Sequence, residues 1–290
     1  IPGEDKTGIY HGVKFLRDVA LNKSPDVDGK RVVVVGGGDV AIDSARSAWR
    51  LGATEVHVVY RREEKDMPAN KDEIEAAKEE GIQFHFLTNP MAVLGQSTVT
   101  GVRLQRQSLG EFDSSGRRRP RSIAGSEFDL PCDIIVPAIG QFTDFDWMQD
   151  NSIETNRAST VKVGKALETT LPGIFAAGDC VSGPATVIEA VAQGNKVAMA
   201  VDAWLTTGKV DRIVYWPKRH DVAKFGDPAP LGDELHRVSP RMLPPEWRSA
   251  SGFSEVELGF DEATVQAEAW RCLRCDLEWL ERVGEPIPEP

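Results

Sequence analysis

The stretch from Arg31 to Arg62 constrains the fold more than any other part of the sequence. It begins with a β-branched run, Arg31 to Val35, which predicts a buried parallel strand. Three glycines follow at once, and Asp39 opens an amphipathic pattern that ends at Gly52, so a tight turn leads into a helix. A second β-branched run, Thr54 to Tyr60, completes a strand-helix-strand unit of the kind found in parallel α/β sheets.

The glycines have the G-x-G-x-x-A spacing of a dinucleotide-binding turn. Gly36 permits the tight turn, Gly38 permits close approach of a pyrophosphate to the backbone, and Ala41 permits close packing of helix on strand. The pyrophosphate would lie at the helix N-terminus, where free amides and the helix dipole favour an anion. The residues predicted to bind the dinucleotide here are Gly36, Gly37, Gly38, Asp39, Val40 and Ala41.

The residues after the second strand indicate which dinucleotide is bound. A site for NAD has an Asp or Glu about 20 residues after the glycines, where it accepts a hydrogen bond from the ribose. Arg61 and Arg62 occupy that place here, and a guanidinium binds a phosphate through two parallel hydrogen bonds. Glu63 and Glu64 follow directly and offset part of this positive charge. The sequence therefore predicts a preference for NADPH.

Composition and charge exclude several classes of protein. The 290 residues carry a net charge of −11, which argues against nucleic-acid binding. The sequence has no run of about 18 apolar residues, so it predicts no membrane span. The charged N-terminal residues are not expected to be an export signal. Four scattered cysteines predict reduced thiols or cluster ligands, and with them a cytoplasmic location. The one basic run is predicted to be a solvated hairpin tip; it contains Arg117, Arg118, Arg119 and Arg121.

The rest of the first 140 residues predicts helices, strands and a small antiparallel meander. A helix is expected from Gly12 to Leu21 and another from Asn70 to Glu80, followed by a strand from Ile82 to Leu87. Alternation from Val93 to Gln107 and from Glu111 to Leu130 indicates the meander. A last buried strand is predicted from Cys132 to Ala138, and His57 and His85, which lie in predicted strands, are expected to be structural.

A second pattern typical of nucleotide binding occurs from Leu171 to Asp179. A short apolar strand is predicted to end at Gly178 and Asp179, and a helix is predicted from Gly183 to Leu205. An aspartate beside a glycine at a strand end can accept a hydrogen bond from a sugar hydroxyl. The alternative is an aspartate that only caps the following loop. Because strand, Gly-Asp pair and helix occur together, we favour the first interpretation.

Five segments in this order resemble the small, or beta, subunit of glutamate synthase and its relatives, which are NADPH-dependent flavoprotein oxidoreductases. The resemblance covers nearly all of the chain from Ile1 to about Gly208. It implies an α/β fold in which a Rossmann-like NADPH domain is inserted into an FAD domain. The segments are IPGED at Ile1 to Asp5, VVVVGGGDVAID at Val32 to Asp43, YRREEKDMPA at Tyr60 to Ala69, PAIGQ at Pro137 to Gln141 and GIFAAGDC at Gly173 to Cys180.

The resemblance also implies a domain plan and a set of cofactor residues. Residues 1–29 would be an FAD-domain segment or linker, 30–140 the NADPH domain, 141–208 the C-terminal half of the FAD domain, and 209–290 an extended arm and helix. The iron-sulfur region and first FAD glycine motif of the family are not in this sequence, so we expect the C-terminal portion of such a subunit. Ile139 and Gly140 would lie beside the nicotinamide. Asp179 would hold the ribityl chain of FAD, with Gly178, Thr186 and Val187 beside the flavin.

Cys272 and Cys275 form the one C-x-x-C of the chain. On a helix this spacing places both sulfur atoms on one face, where they would bind a [4Fe–4S] cluster completed by the absent region or a partner. Two unligated thiols on an amphipathic helix are the alternative. Between Lys209 and Phe253, many prolines and several aromatic residues predict an extended arm on a surface.

Three functions are compatible with these patterns. The first is an electron-input subunit that passes hydride from NADPH to FAD, and electrons onward to a larger catalytic subunit or an iron-sulfur acceptor protein. Such transfer needs positioning rather than proton transfer, so no catalytic side chain is predicted. The second is a thiol or disulfide reductase that uses Cys272 and Cys275. The third is a nucleotide-binding or interaction module without enzymatic activity.

Overall fold

The computed structural model describes residues 1–112, 116–141, 144–145, 153–156, 160–210, 237–250 and 252–269. The chain divides into two compact units, one formed by Ile1–Pro137 with Val222–Pro290 and the other by Ala138–Asp221. The helices are α1 Gly12–Ala20, α2 Asp39–Arg50, α3 Lys71–Glu79, α4 Asp179–Ser182, α5 Val187–Thr207, α6 Pro245–Ala250 and α7 Glu262–Ala269, and the strands are β1 Arg31–Val35, β2 Glu55–Val59, β3 Gln83–His85, β4 Thr88–Leu94, β5 Gly101–Phe112, β6 Arg118–Pro131 and β7 Ile134–Pro137.

A four-stranded parallel sheet forms the centre of the first unit. Its order is β3-β2-β1-β7, and Val33 of β1 lies opposite His57 of β2 and Ile135 of β7. All four valines of β1 are buried, because the middle strand of a parallel sheet is covered on both faces. The predicted strand, glycine turn, helix and second strand are therefore present, and the predicted parallel α/β fold is confirmed.

The N-terminal residues pack against this sheet. Ile9 forms a parallel bridge with Ile135, and the amide of Tyr10 donates a hydrogen bond of 3.0 Å to the carbonyl of Ile135. Helix α1 then packs against α2, with Phe15 only 1% exposed. Residues 1–29 consequently lie in the same compact unit as the glycine turn, while the domain boundaries stated above stay predictions.

The predicted antiparallel meander consists of β4, β5 and β6, paired in that order. It continues from the parallel sheet through a turn at Leu87, whose φ of +49° ends the strand that was predicted to run from Ile82 to Leu87. The amide of Thr88 donates to the carbonyl of Tyr60 at 3.0 Å, so the meander begins beside the end of β2. Residues 113–115 of the hairpin formed by β5 and β6 are outside the described residues.

Three arginines meet at the carboxylate of Glu80, which follows α3 and has no exposed side-chain surface. Arg46 of α2 donates two hydrogen bonds of 3.0 and 2.6 Å to it, and Arg50 and Arg248 each lie 3.5 Å from one of its oxygen atoms. Arg248 also pairs with Glu79 at 3.1 Å. Because Arg248 belongs to α6, this cluster attaches the described C-terminal segment to the helices that flank the sheet.

The second unit contains α4 and α5 and exposes much apolar surface. Ala200 is the buried residue of α5, whereas Val187 and Ile188 at its start are 81% and 74% exposed. The predicted strand that ends at Asp179 is wrong: Phe175 forms an isolated bridge with Glu168, and Asp179 begins α4. The extended residues between Gly173 and Gly178, two glycines with positive φ, form one isolated bridge and no paired ladder.

Candidate functional site

The glycine turn joins the end of β1 to the N-terminus of α2. Gly36 has a φ of +148°, and its amide donates a hydrogen bond of 3.0 Å to the carbonyl of Val59, which ties the turn to β2. Gly38 is the N-cap of α2, and a Cβ there would meet only Cγ of Pro68, at 3.9 Å. The space above Gly38 is therefore open, and the first amides of α2, which have no partner within the helix, are available for an anion.

Gly37 is required for a different reason, which the sequence did not reveal. A Cβ at this position would lie 2.5 Å from Cε2 of Tyr60, the residue that follows β2. The Tyr60 ring is buried, and its hydroxyl donates a hydrogen bond of 2.7 Å to the carbonyl of Asp66. The middle glycine thus accommodates an aromatic ring that holds the next loop. The aromatic residue directly before the two arginines is the sequence signal that could have identified this contact.

The loop from Tyr60 to Asn70 folds back onto the glycine turn. The amide of Ala69 donates to the carbonyl of Gly37 at 3.2 Å, and the amide of Asn70 donates to Oδ1 of Asp39 at 2.9 Å. Within the loop, Glu63 and Asp66 cap a short 3₁₀ turn, and the side chain of each accepts a hydrogen bond from the backbone amide of the other. The conformation of YRREEKDMPA is therefore fixed by the turn that it adjoins, and Asp39 is a structural residue of the predicted cofactor site.

The two arginines after β2 have different environments. Arg61 is exposed, and Arg62 is 4% exposed. The Nε of Arg62 donates a hydrogen bond of 2.8 Å to the carbonyl of Arg118, in β6. Arg61 is thus the arginine of the pair whose side chain is accessible to a phosphate, whereas Arg62 connects β2 to the meander.

The second unit brings together the four residues that are predicted to bind FAD, namely Gly178, Asp179, Thr186 and Val187. A pocket of about 380 Å³ is lined by Asp179, Thr186 and Val187 together with small apolar side chains. Gly178, the N-cap of α4, directly precedes Asp179, and its amide donates to the side chain of Gln193 at 2.7 Å. The predicted helix begins at Val187 rather than Gly183, because Gly183 has a φ of +78° and Thr186 is the N-cap.

The residues predicted to lie beside the nicotinamide, Ile139 and Gly140, do not line this pocket. Ile139 and Gly140 belong to the second unit and are exposed, and Gly140 has a φ of +118°. Cys272 and Cys275 lie outside the described residues, so their role as cluster ligands stays a prediction. Within the described ranges, no group of three or more His, Cys, Asp or Glu side chains could hold a metal ion.

Two histidines in the parallel sheet contact each other, of which His57 is buried and His85 is half-buried. Nδ1 of His57 lies 3.1 Å from Nε2 of His85, and the two residues belong to the neighbouring strands β2 and β3. Burial lowers the pKa of His85, and the adjacent His57 and Arg106 lower it further. A contact between two histidines on neighbouring strands agrees with the structural role expected for both residues.

Cys132 is a buried thiol beside the parallel sheet, and we predict that it does not react in the native protein. Burial raises its pKa to about 12, with a further contribution from Asp133. A raised pKa favours the neutral thiol, so its stabilising contribution persists below the unfolded pKa of about 8.5 and is lost as the pH approaches 12. Iodoacetamide at pH 8, followed by peptide mass spectrometry, should label Cys132 only after denaturation. Native labelling at the rate of the partly exposed Cys180 would contradict this.

A parallel sheet, an open glycine turn at a helix N-terminus and a second strand that ends at an exposed arginine define a dinucleotide-binding protein of the Rossmann class. The chain belongs to the pyridine nucleotide-disulphide oxidoreductase family, whose model matches residues 1–194. The T. acidophilum thioredoxin reductase has a similar fold, with a TM-score of 0.56 at 21% identity over 71% of this chain and 62% of that one. FprA of Mycobacterium tuberculosis, solved with NADPH, gives 0.57 at 21% identity over 71% and 60%.

Curated relatives share more sequence with this chain. The beta subunit of the NADP(+)-dependent formate dehydrogenase of Moorella thermoacetica is 45% identical over 95% of this chain and 40% of its own length. The beta subunit of the NADPH-Fe(3+) oxidoreductase of Geobacter sulfurreducens is 36% identical over 95% and 46%. The small chain of the NADPH glutamate synthase of Escherichia coli is 36% identical over 71% and 47%. The predicted resemblance is therefore confirmed, and the chain spans less than half the length of these relatives.

Proposed function

We propose that this chain is the electron-input part of an NADPH-dependent flavoprotein oxidoreductase. In this proposal it takes hydride from NADPH to FAD and passes electrons to iron-sulfur clusters or to a partner subunit. The observation that carries the proposal is the preformed glycine turn, open at Gly38 and flanked by the exposed Arg61. The names of the relatives, which are NADP- or NADPH-dependent oxidoreductase subunits, support the same function.

The residues of the first unit would bind the dinucleotide in two places. The pyrophosphate would lie over Gly38 and accept hydrogen bonds from the first amides of α2, where the helix dipole also favours negative charge. Arg61 would bind the ribose phosphate, and Tyr60, held under Gly37 and bonded to Asp66, would fix the direction in which Arg61 leaves the strand. No acid or base is needed in this part of the site, because its function is to position the dinucleotide.

The second unit has features that suit part of an FAD site. Asp179 would accept a hydrogen bond from a hydroxyl of the ribityl chain, and the exposed apolar residues at the start of α5 would cover one side of a flat aromatic ring. Bound flavin would supply the ability to accept a hydride and release electrons singly. Thr186 caps α5, and its amide donates a hydrogen bond to the carboxylate of Glu189, which lowers the pKa of that carboxyl. This reciprocal capping box between Thr186 and Glu189 holds the start of α5 in place.

The partner and the location of the protein are also proposals. A larger catalytic subunit is supported by two relatives that are named as beta subunits, and Cys272 and Cys275 stay predicted cluster ligands. No helix among the described residues is long and apolar enough to cross a bilayer. The predicted cytoplasmic location is supported by the free thiols Cys132 and Cys180, which are usual in a reducing compartment.

Replacing Arg61 with glutamine is expected to weaken NADPH binding about tenfold and to leave NADH binding unchanged. The reason is the loss of a charge-assisted bidentate contact to the ribose phosphate. The affinity of the purified protein for each nucleotide can be measured by calorimetric titration. Arg103→Gln is the matched control, because it removes an exposed arginine that pairs with Asp129 in the meander. Equal affinity of the unmodified protein for NADPH and NADH would contradict the proposed selectivity.

The electron-input role itself is tested by the absorption spectrum of the native protein. A flavin band that is bleached anaerobically by NADPH, and more slowly by NADH, is the expected result. Absence of flavin from the native protein that contains this chain would remove the proposal and favour a nucleotide-binding module. Thiol titration before and after NADPH addition distinguishes the dithiol reductase, for which two thiols would appear on reduction.

A further inference from the structure

The hairpin formed by β5 and β6 lies beside the end of β2, where the ribose phosphate is proposed to bind. Its connection to that strand is Arg62, whose Nε donates to the carbonyl of Arg118 at 2.8 Å. Arg62 is 4% exposed, and its own carbonyl accepts a hydrogen bond of 3.0 Å from the amide of Leu87. A buried arginine that is fixed at both its backbone and its side chain therefore holds the hairpin at a set position relative to Arg61.

The side chain of Arg118 is held by the hairpin itself. Its Nε donates to the carbonyl of Gly110 at 3.0 Å, and its Nη2 donates to the carbonyl of Leu109 at 3.1 Å. Both partners are neutral, and none of the ion pairs among the described residues includes Arg118. The residue is exposed. An exposed guanidinium fixed by carbonyl groups keeps its full charge and some of its donors for an anion, and it loses little conformational entropy on binding.

Further positive charge is close to Arg118. Lys65, in the loop after Arg61, pairs with Glu63 at 2.5 Å. This hydrogen bond raises the pKa of Lys65, while the nearby Arg118 acts in the opposite direction. Because Glu63 balances the charge of Lys65, Arg118 is the one of these two cations that pairs with no carboxylate within the described ranges.

We propose that Arg118 is a specificity-determining residue that binds the ribose 2′-phosphate together with Arg61. The inference rests on the proposed function, since it assigns a second contact to the same phosphate. It also divides the tasks of the arginines: Arg61 and Arg118 contact the ligand, and Arg62 positions the hairpin that carries Arg118. Arg118 is exposed at the start of β6, as expected for a solvated hairpin, and in this proposal it also lines the dinucleotide site.

The test uses adenosine 2′,5′-bisphosphate and AMP, two probes that differ by the 2′-phosphate and need neither flavin nor partner. Calorimetric titration of the full chain should show that Arg118→Gln weakens binding of the bisphosphate about fivefold and leaves AMP binding unchanged. Arg118→Lys, which keeps the charge, should restore part of the loss. Arg103→Gln, at the other end of the hairpin, should bind both probes like the unmodified protein.

The outcomes separate this inference from the proposed function. If Arg61→Gln loses selectivity for the bisphosphate but Arg118→Gln does not, the role of Arg118 is overturned and the NADPH site stands. If the unmodified protein binds both probes equally, the phosphate site and the role of Arg118 are overturned together. Arg118→Gln that loses affinity for both probes, with a lowered unfolding midpoint, would show a purely structural role and would also overturn the inference.

Discussion

Replacing Gly38 with alanine is expected to leave the fold intact and to weaken dinucleotide binding about a hundredfold. The φ of −93° at this position suits alanine, and the added Cβ would meet only Cγ of Pro68, at an ordinary contact distance of 3.9 Å. The methyl group would instead occupy the space through which a pyrophosphate approaches the first amides of α2. The dissociation constant for NADPH and the urea midpoint of the same variant are the two measurements.

Gly37→Ala is the matched comparison, because the same methyl group is added one residue earlier. There it would lie 2.5 Å from the buried ring of Tyr60, so the ring must move and the loop that it anchors is disturbed. We expect a loss of stability of about 1–3 kcal/mol, as for other overpacked sites. If Gly38→Ala were the less stable variant of the two, or if it bound NADPH like the unmodified protein, our assignment of the pyrophosphate position would be wrong.

Replacing Glu80 with glutamine is expected to lower the free energy of unfolding by about 3 kcal/mol. The carboxylate has no exposed surface and is approached by Arg46, Arg50 and Arg248. Removing its charge leaves three poorly solvated guanidinium groups with only part of the negative charge that balances them. Urea unfolding followed by circular dichroism measures the change, and protease sensitivity of residues 237–269 reports whether α6 detaches.

Asp129→Asn is the control for this experiment, since it changes a carboxylate to an amide at an exposed ion pair. Asp129 bonds to Arg103 at 2.8 and 2.9 Å, and the bond lowers the pKa of the aspartate. Water screens such a pair, so we expect little change in the midpoint. Similar midpoints for Glu80→Gln and Asp129→Asn would mean that the cluster around Glu80 does not hold the C-terminal segment in place.

Hydrophobic periodicity predicted much of the first unit because its elements are local. The strand from Arg31 to Val35 and the helix that begins at Asp39 are present with those bounds, since the β-branched run, the glycines and the amphipathic repeat agree with one another. The strand predicted to end at Leu87 was harder to place. Its end depends on a positive φ at Leu87, and leucine gives no indication of that conformation.

The candidate site was predictable in its residue types but not in its contacts. Arg61 and Arg62 are adjacent, so sequence alone assigned them one role, and only the long-range bond from Arg62 to Arg118 separates them. Likewise, the spacing of the glycines identified Gly38, whereas the need for Gly37 arises from a ring 23 positions later. The short apolar run between Gly173 and Gly178 has residues that suit a strand, but a strand also needs a partner along its length.

The bonds from Ala69 to Gly37 and from Asn70 to Asp39 bear on how quickly the protein exchanges its nucleotide. Association is slow when a loop becomes ordered only around the ligand, because few encounters find the loop in its binding conformation. Here the loop is already bonded to the glycine turn, so a nucleotide that meets the turn can bind as soon as its phosphates are aligned. Discrimination between NADPH and NADH would then reside in residence time, because the reduced nucleotide that lacks the phosphate would enter as readily and leave sooner.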